Sequence, residues 1–175
     1  FPIIGAAQDL DLNVSGGSDT LRSELKDAMS LFALVDAEDA TPQALIAAAQ
    51  ADYGRIVAAL YGGGRFSPSV SIQIDGREAA GISPFEAPAS IAKILIDVDP
   101  GPRFQFGRAE IAPLAEGTEL PPDFRVGERA GTGVIRDAVT AGVAGWRNVG
   151  HAKARLEDQQ IIADHPDRKL DVRLR

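Results

Sequence analysis

The stretch "LIDVDPGPRFQFGRAEI", Leu95–Ile111, decides how the rest of the chain is read. Two runs with apolar residues at alternate positions flank Pro100-Gly101-Pro102. Alternation marks half-buried strands, and two prolines around a glycine stop both. In the second run the phase slips, with Phe104 and Phe106 before Gly107 and Ala109 and Ile111 after it. One extra residue at a β-bulge would return all four to one face. The stretch is either a turn inside one sheet or the joint between two domains, and the flanking sequence decides which.

Upstream, Leu10, Leu12 and Val14 alternate with Asp9, Asp11 and Asn13, a short strand. Ser18 is an N-cap with Asp19 in the first turn, and Leu21, Leu25, Ala28 and Phe32 recur at helical spacing. Thr41-Pro42 opens a second helix with the stripe Ile46, Ala49, Tyr53, Ile56 and Leu60, which "YGGG" at 61–64 stops. Val70, Ile72 and Ile74 form a strand ended by Asp75-Gly76. Residues 77–88 read as a loop, and Ala92, Ile94, Ile96 and Val98 as a further strand. The order is strand, helix, helix, strand, strand.

Downstream the order returns in shorter form. A strand crosses Gly107; residues 114–131 carry Gly and Pro where the first half has a patterned helix, so at most a short helix is expected. A helix follows with the stripe Ile135, Ala138 or Val139, Gly142 and Trp146. "HAKARL" alternates and is read as a strand continuing through "QQIIAD"; "HPDR" turns the chain, and Leu170, Val172 and Leu174 mark a last strand. Laying Gly64 on Gly150 brings the two halves into register. Pro100-Gly101-Pro102 is therefore a joint, a stiff one, continued by Phe104 and Gly107.

The expected fold class is α+β: two tandem βααββ domains, 1–101 and 102–175, the second with an abbreviated first helix. Two helices between the first two strands bring the chain back to its starting end, so strand two runs against strand one. Strand three is then parallel to strand one and sits in the centre. Each domain becomes a three-stranded mixed sheet covered on one face by helices.

Composition narrows the function. Of 175 residues, 45% are hydrophobic and 25% charged, the balance of a folded chain. With Cys 0, no disulfide framework or thiolate chemistry is available. No run reaches the roughly 20 apolar residues of a membrane helix. The start at Phe1 is read as processing or trimming, any leader lying outside the sequence. Residues 1–101 hold 6 Lys/Arg against 14 Asp/Glu, whereas 102–175 hold 12 against 11. An acidic first half argues against nucleic acid, whose phosphates need clustered Lys and Arg.

Candidate chemistry is thin. "YGGGRF" lacks the Lys-Ser/Thr of a phosphate loop and follows a helix instead of preceding one, so it is read as a helix stop. His151 and His165 have Asp164 and Asp167 nearby but no ligand spacing. Asp36, Glu38 and Asp39 do not match a calcium loop. Trp146 and Tyr53 are expected in cores. Phe85, in "SPFEAP", is the candidate for an exposed aromatic contact, and tucking back over the sheet is its other reading. No catalytic residue, cofactor, metal or small-molecule substrate is expected. The rival from the enzyme class is a small α/β hydrolase using His151 or His165.

The order βααββ, with "SDTLRSELKDA", "AAAQADYGRIVAALYGGGRFSPSVSIQIDG", "VDPGPRFQFGRAEI" and "DAVTAGVAGWRNVGHAKARL", resembles the POTRA module, the polypeptide-transport-associated domain. The particular sequence resembles TamA-type members of the bacterial outer-membrane assembly superfamily, relatives of BamA. The joint segment of that family is matched by Pro100, Gly101, Phe104, Phe106 and Gly107. The resemblance implies a periplasmic scaffold, part of an outer-membrane protein, with a third module and a membrane barrel after Arg175. Its partners would be a TamB-like inner-membrane-anchored protein, unfolded outer-membrane or autotransporter clients, and its own barrel. The acidic first domain, through Asp36, Glu38 and Asp39, would set the charge complementarity of docking. A POTRA module of a two-partner secretion or cell-division scaffold is the alternative.

In such a module strand two is a sheet edge, able to take an added strand from a client by β-augmentation. The expected binding residues are Val70, Ser71, Ile72, Gln73 and Ile74 in the first domain and Ala154, Arg155 and Leu156 in the second. Two readings of these edges stand at this level: they accept a guest strand, or they face water or a neighbouring module.

Overall fold

The computed structural model describes residues 9–37 and 40–175. The chain divides into two compact units, Phe1–Ala59 with Pro68–Pro100, and Leu60–Ser67 with Gly101–Arg175. Each holds a mixed sheet of its own, one of four strands and one of three.

The first unit contains β1 (Asp9–Val14), α1 (Asp19–Ala28), α2 (Leu31–Val35), most of α3 (Pro42–Gly62), β2 (Ser69–Ile74), β3 (Arg77–Glu78) and β4 (Lys93–Asp99). The strand order is β1-β4-β2-β3. The last of the three strands read from the sequence, β4, runs parallel to β1 and antiparallel to β2. Leu12, Val14, Ile72, Ile74, Ile94, Ile96 and Val98 are buried on one face, as are Leu25, Leu45, Ile46, Ala49 and Ile56 of the helices. Ser18 caps α1 through its hydroxyl, which accepts from the Leu21 N–H, and Thr41 does the same for Ala44.

Two features depart from the sequence reading. The helix expected to carry Phe32 on the same stripe as Leu21 breaks after Ala28, and α2 starts afresh at Leu31. The cause lies in α3. The carboxylate of Asp52, fully buried, accepts the N–H groups of Ser30 and Leu31 and the Ser30 hydroxyl, at 3.0–3.1 Å. It thereby satisfies donors that a new helix start leaves unpaired. Arg55 pairs with it at 2.7 Å.

Secondly, the first sheet has a fourth strand where a loop was expected. Asp75 (φ 48°) and Gly76 (φ 79°) make a two-residue hairpin turn that returns Arg77 opposite Ile74 and Glu78 opposite Gln73. Both φ values are positive, as this turn type requires. The Asp75 carboxylate also accepts from the Ala92 and Lys93 N–H groups. After Glu78 the chain leaves the sheet in a 3₁₀ turn, Ala79–Gly81.

The second unit contains β5 (Gln105–Ile111), α4 (Thr132–Asn148), β6 (Gln159–Asp164) and β7 (Lys169–Leu174), in the order β5-β7-β6. Central β7 is parallel to β5 and antiparallel to β6. The register shifts between Phe106 and Arg108, which is the bulge expected at Gly107. Phe104 and Phe106 are buried, and Ala109 and Ile111 pack on the same core. A Cβ at Gly107 would lie 2.4 Å from Asp171 Oδ1, so a side chain there would push against β7.

No helix is described between β5 and α4. Instead residues 127–130 run beside β5: Phe106 N–H donates to Glu128 O, Gly127 N–H to Phe106 O and Ala130 N–H to Phe104 O, at 2.8–3.0 Å. Phe124 enters the core against Phe106, ring centroids 5.5 Å apart. The segment Leu60–Ser67 belongs to this unit for physical reasons. Gly64 (φ 79°) ends α3 in a Schellman-type turn, with Gly64 N–H bonded to Tyr61 O and Arg65 N–H to Leu60 O. The Phe104 N–H then donates to Gly64 O at 2.8 Å, and Phe66 packs edge-on against Phe104 at 5.5 Å.

Candidate functional site

The sequence points to sheet edges, and the structure orders them by how much backbone each leaves open. In an antiparallel pair, alternate residues direct their N–H and C=O away from the partner strand. In β2, Asp75 N–H bonds to Lys93 O, so Ser69, Ser71 and Gln73 face β4 while Val70, Ile72 and Ile74 face outward. Ile74 is taken by Arg77 across the hairpin. Ile72 is taken by side chains. Its N–H donates to Glu78 Oε1 at 3.2 Å, and the Tyr53 hydroxyl oxygen covers its C=O at 3.2 Å. Tyr53 Oη also lies 3.3 Å from the Ile72 nitrogen and hydrogen-bonds Glu78 Oε1, while Ser71 Oγ donates to Glu78 Oε2 at 2.8 Å.

Of the five residues expected to bind in the first unit, Ser71, Ile72, Gln73 and Ile74 are therefore already covered or paired. Val70 alone keeps its backbone groups on the open edge, and Pro68 just before it has no N–H to offer. Tyr53, read as a core residue, instead holds the strand edge. Its hydroxyl is pushed up to about 12, first by burial and then by the Glu78 carboxylate, and the Glu78 carboxyl is held below its ordinary value chiefly by the Tyr53 hydroxyl. The pair stays a phenol donating to a carboxylate over the ordinary pH range.

The second unit differs. Asp158 and Arg175 exchange backbone hydrogen bonds, which sets the alternation: Gln160, Ile162 and Asp164 face β7, and Gln159, Ile161 and Ala163 turn their N–H and C=O outward. The strand is exposed on both faces, with Ile161 at 43% and Ile162 at 54%. Ile161 and Gln159 join Ile135, Arg136 and Val139 of α4 and Leu156 around an apolar groove of about 350 Å³.

Ala154, Arg155 and Leu156 are not strand residues, contrary to the sequence reading. Gln159 pairs with Leu174, and the Glu157 and Asp158 N–H groups both donate to Arg175 O; residues 151–156 lie before this ladder. They turn back on the end of α4, where His151 N–H reaches Trp146 O and Arg147 Nη2 reaches Ala154 O. The three residues instead line a second cavity of about 180 Å³ with Ile111, Val143 and Trp146. Leu156 lines both hollows.

The other candidates are placed plainly. Trp146 is half-buried and its Nε1 donates to Pro113 O at 2.9 Å. The His151 ring packs edge-on to Trp146 at 5.0 Å and His165 to Phe104 at 5.6 Å. Phe85 stands 99% exposed. Among the described residues no group of three metal-ligating side chains occurs, and no helix is long and apolar enough to cross a membrane. Asp36 ends α2; Glu38 and Asp39 lie outside the described residues. Of the joint residues, Pro100 closes the first unit and Gly101 (φ 64°) opens the second, with Pro102 following it, Phe104 buried and Gly107 at the bulge.

This is the fold of tandem POTRA modules. No protein-family model matches the chain, and no curated protein does. Among solved structures it is similar to POTRA modules 3–5 of BamA from Haemophilus influenzae, with 15% identity and a TM-score of 0.52 over 97% of the chain. The chain spans 65% of that three-module chain. POTRA modules 1–2 of the periplasmic domain of Omp85 from Anabaena also align, with 10% identity and a TM-score of 0.44, over 97% of this chain and 93% of that one.

Proposed function

We propose that the chain is a periplasmic docking scaffold for outer-membrane protein assembly, not a catalyst, and that it receives extended segments of unfolded polypeptide at β6. The observation that carries this reading is the β6 edge. Three residues direct unpaired backbone outward, beside an apolar groove able to take alternate side chains of the guest. A segment with apolar residues at every second position would pair its backbone with Gln159, Ile161 and Ala163 and place side chains against Ile135, Val139 and Leu156. Main-chain bonds give affinity with little sequence preference, which suits a receptor for many clients.

The setting draws on the likeness to BamA modules. The finer assignment draws on the sequence resemblance: a TamA-like protein that meets a TamB-like inner-membrane-anchored partner, handles autotransporter clients, and continues into its own barrel. The test is a nuclear magnetic resonance titration with a synthetic peptide alternating Val and Thr. Shifts and slowed amide exchange are expected at Gln159, Ile161 and Ala163. Saturating peptide that leaves all three unmoved refutes the reading.

A further inference from the structure

The two strands in equivalent places, β2 and β6, are treated oppositely by their surroundings. β6 presents a run of outward backbone, whereas β2 has two of its three outward positions filled, Ile74 by a hairpin and Ile72 by two side chains. We propose that Tyr53 and Glu78 form a lock that closes the β2 edge to strand addition, so that extended polypeptide is directed to β6 and not to β2. The inference rests on the strand-capture reading above and names which of the two edges serves it.

The geometry makes the lock specific. β3 is only two residues long, Arg77 and Glu78, and the chain leaves the sheet just where its next residue would stand opposite Ile72. The Glu78 side chain fills that place, accepting from the Ile72 N–H and the Ser71 hydroxyl. Tyr53 reaches the same point from α3, gives its hydroxyl proton to Glu78, and sets its oxygen 3.3 Å from the Ile72 nitrogen and 3.2 Å from the Ile72 carbonyl oxygen. The Ile72 N–H is thus satisfied by side chains of two different elements, and the phenol covers its carbonyl. A guest strand arriving here would have to displace the Tyr53–Glu78 pair and the bonds to the Ile72 N–H before forming its own, and would also strip solvent from a carboxylate. Unpaired edges recruit strands because their backbone groups lack protein partners; that incentive is removed at Ile72 and kept along β6. The Glu78 carboxyl, held below its ordinary value mainly by Tyr53, agrees with a lock that stays closed.

The experiment compares the full chain with a Tyr53→Phe/Glu78→Ala double variant and with Tyr53→Phe/Glu78→Met, which removes the same acceptors but keeps the side-chain length should the alanine variant fold poorly. The probe is the alternating Val/Thr peptide carrying a nitroxide, read by paramagnetic broadening of amide signals. In the parent, broadening is expected at Gln159, Ile161 and Ala163 and not at Val70 or Ile72. In the unlocked variants it is expected at both places. Independently of any peptide, exchange of the Ile72 amide should accelerate about tenfold once its side-chain acceptor is lost, with Ile94 in the centre of the sheet unchanged. An unchanged Ile72 rate, or parent broadening at Val70–Ile72, overturns the lock. So does unlocked protein that still takes peptide only at β6, or at neither edge. Peptide bound at β2 of the unlocked variants but never at β6 supports the lock and refutes β6 as the receiving edge, so the two readings fail separately.

Discussion

Replacing Asp52 by alanine is expected to destabilise the first unit by about 3 kcal/mol, most of it from backbone donors left without acceptors. The carboxylate is fully buried and serves the Ser30 N–H, the Leu31 N–H and the Ser30 hydroxyl at once. Leu31 is fully buried, so its N–H would be stranded at a cost of roughly 1–3 kcal/mol. Ser30 is only partly buried, and water can replace part of what it loses. The Arg55 side chain is 46% exposed, so its ion pair adds less than about 1 kcal/mol. Asp52→Asn keeps one carbonyl oxygen as acceptor and should cost about half as much, and Ser30→Ala, which removes only the hydroxyl, under about 1 kcal/mol. The assay is urea unfolding followed by circular dichroism, with amide exchange at Ser30 and Leu31 to localise the loss. If Asp52→Ala unfolds within about 0.5 kcal/mol of the parent, or if Leu31 exchanges no faster, Asp52 is not what starts α2.

Three further outcomes are expected. Gly64→Ala places a Cβ 2.1 Å from the Ala130 carbonyl oxygen at a φ of 79°, and should destabilise the second unit by more than about 2 kcal/mol; Trp146 fluorescence in urea reads this out, with Gly133→Ala, which meets nothing within 4 Å, as the harmless control. Acid should loosen the β2 edge. Glu78 titrates below its ordinary 4.5 when folded, so its contribution is complete above that value and fades as pH falls through the lowered one, seen as a falling protection factor at Ile72. At the alkaline end, Tyr53 ionises near 12 against an ordinary 10.0, so stability should decline as pH rises between those values, with the absorbance of tyrosinate tracking the change.

Much of this was legible in the sequence because it depends on local period and on chain reversal. The alternation at 9–14, 70–74 and 92–98, with two helices between the first two, was enough to place β4 in the centre. Phe104, Phe106, Ala109 and Ile111 announced the bulge by their change of phase. The break before α2 was not legible, since it depends on Asp52, 22 residues further along. The hairpin to β3 does carry a signal of its own: Asp-Gly between residues able to pair is a two-residue turn, not merely a strand end. "HAKARL" misled because its alternating apolar positions are mostly alanine, which adds little burial and no β-branching. Tyr53 lay on an apolar helical stripe, and nothing in one dimension told that its hydroxyl would meet a strand.

The irregularity at Gly107 makes β5 sensitive to length in a way its neighbouring loop is not. Two residues of β5 stand where β7 supplies one step, from Leu170 to Asp171. Losing one codon there would restore an even ladder yet rotate either the phenylalanines or Ala109 and Ile111 out to water. A gene of this kind should therefore accumulate insertions and deletions at the exposed turn Glu116-Gly117 while keeping the residue count across β5 fixed.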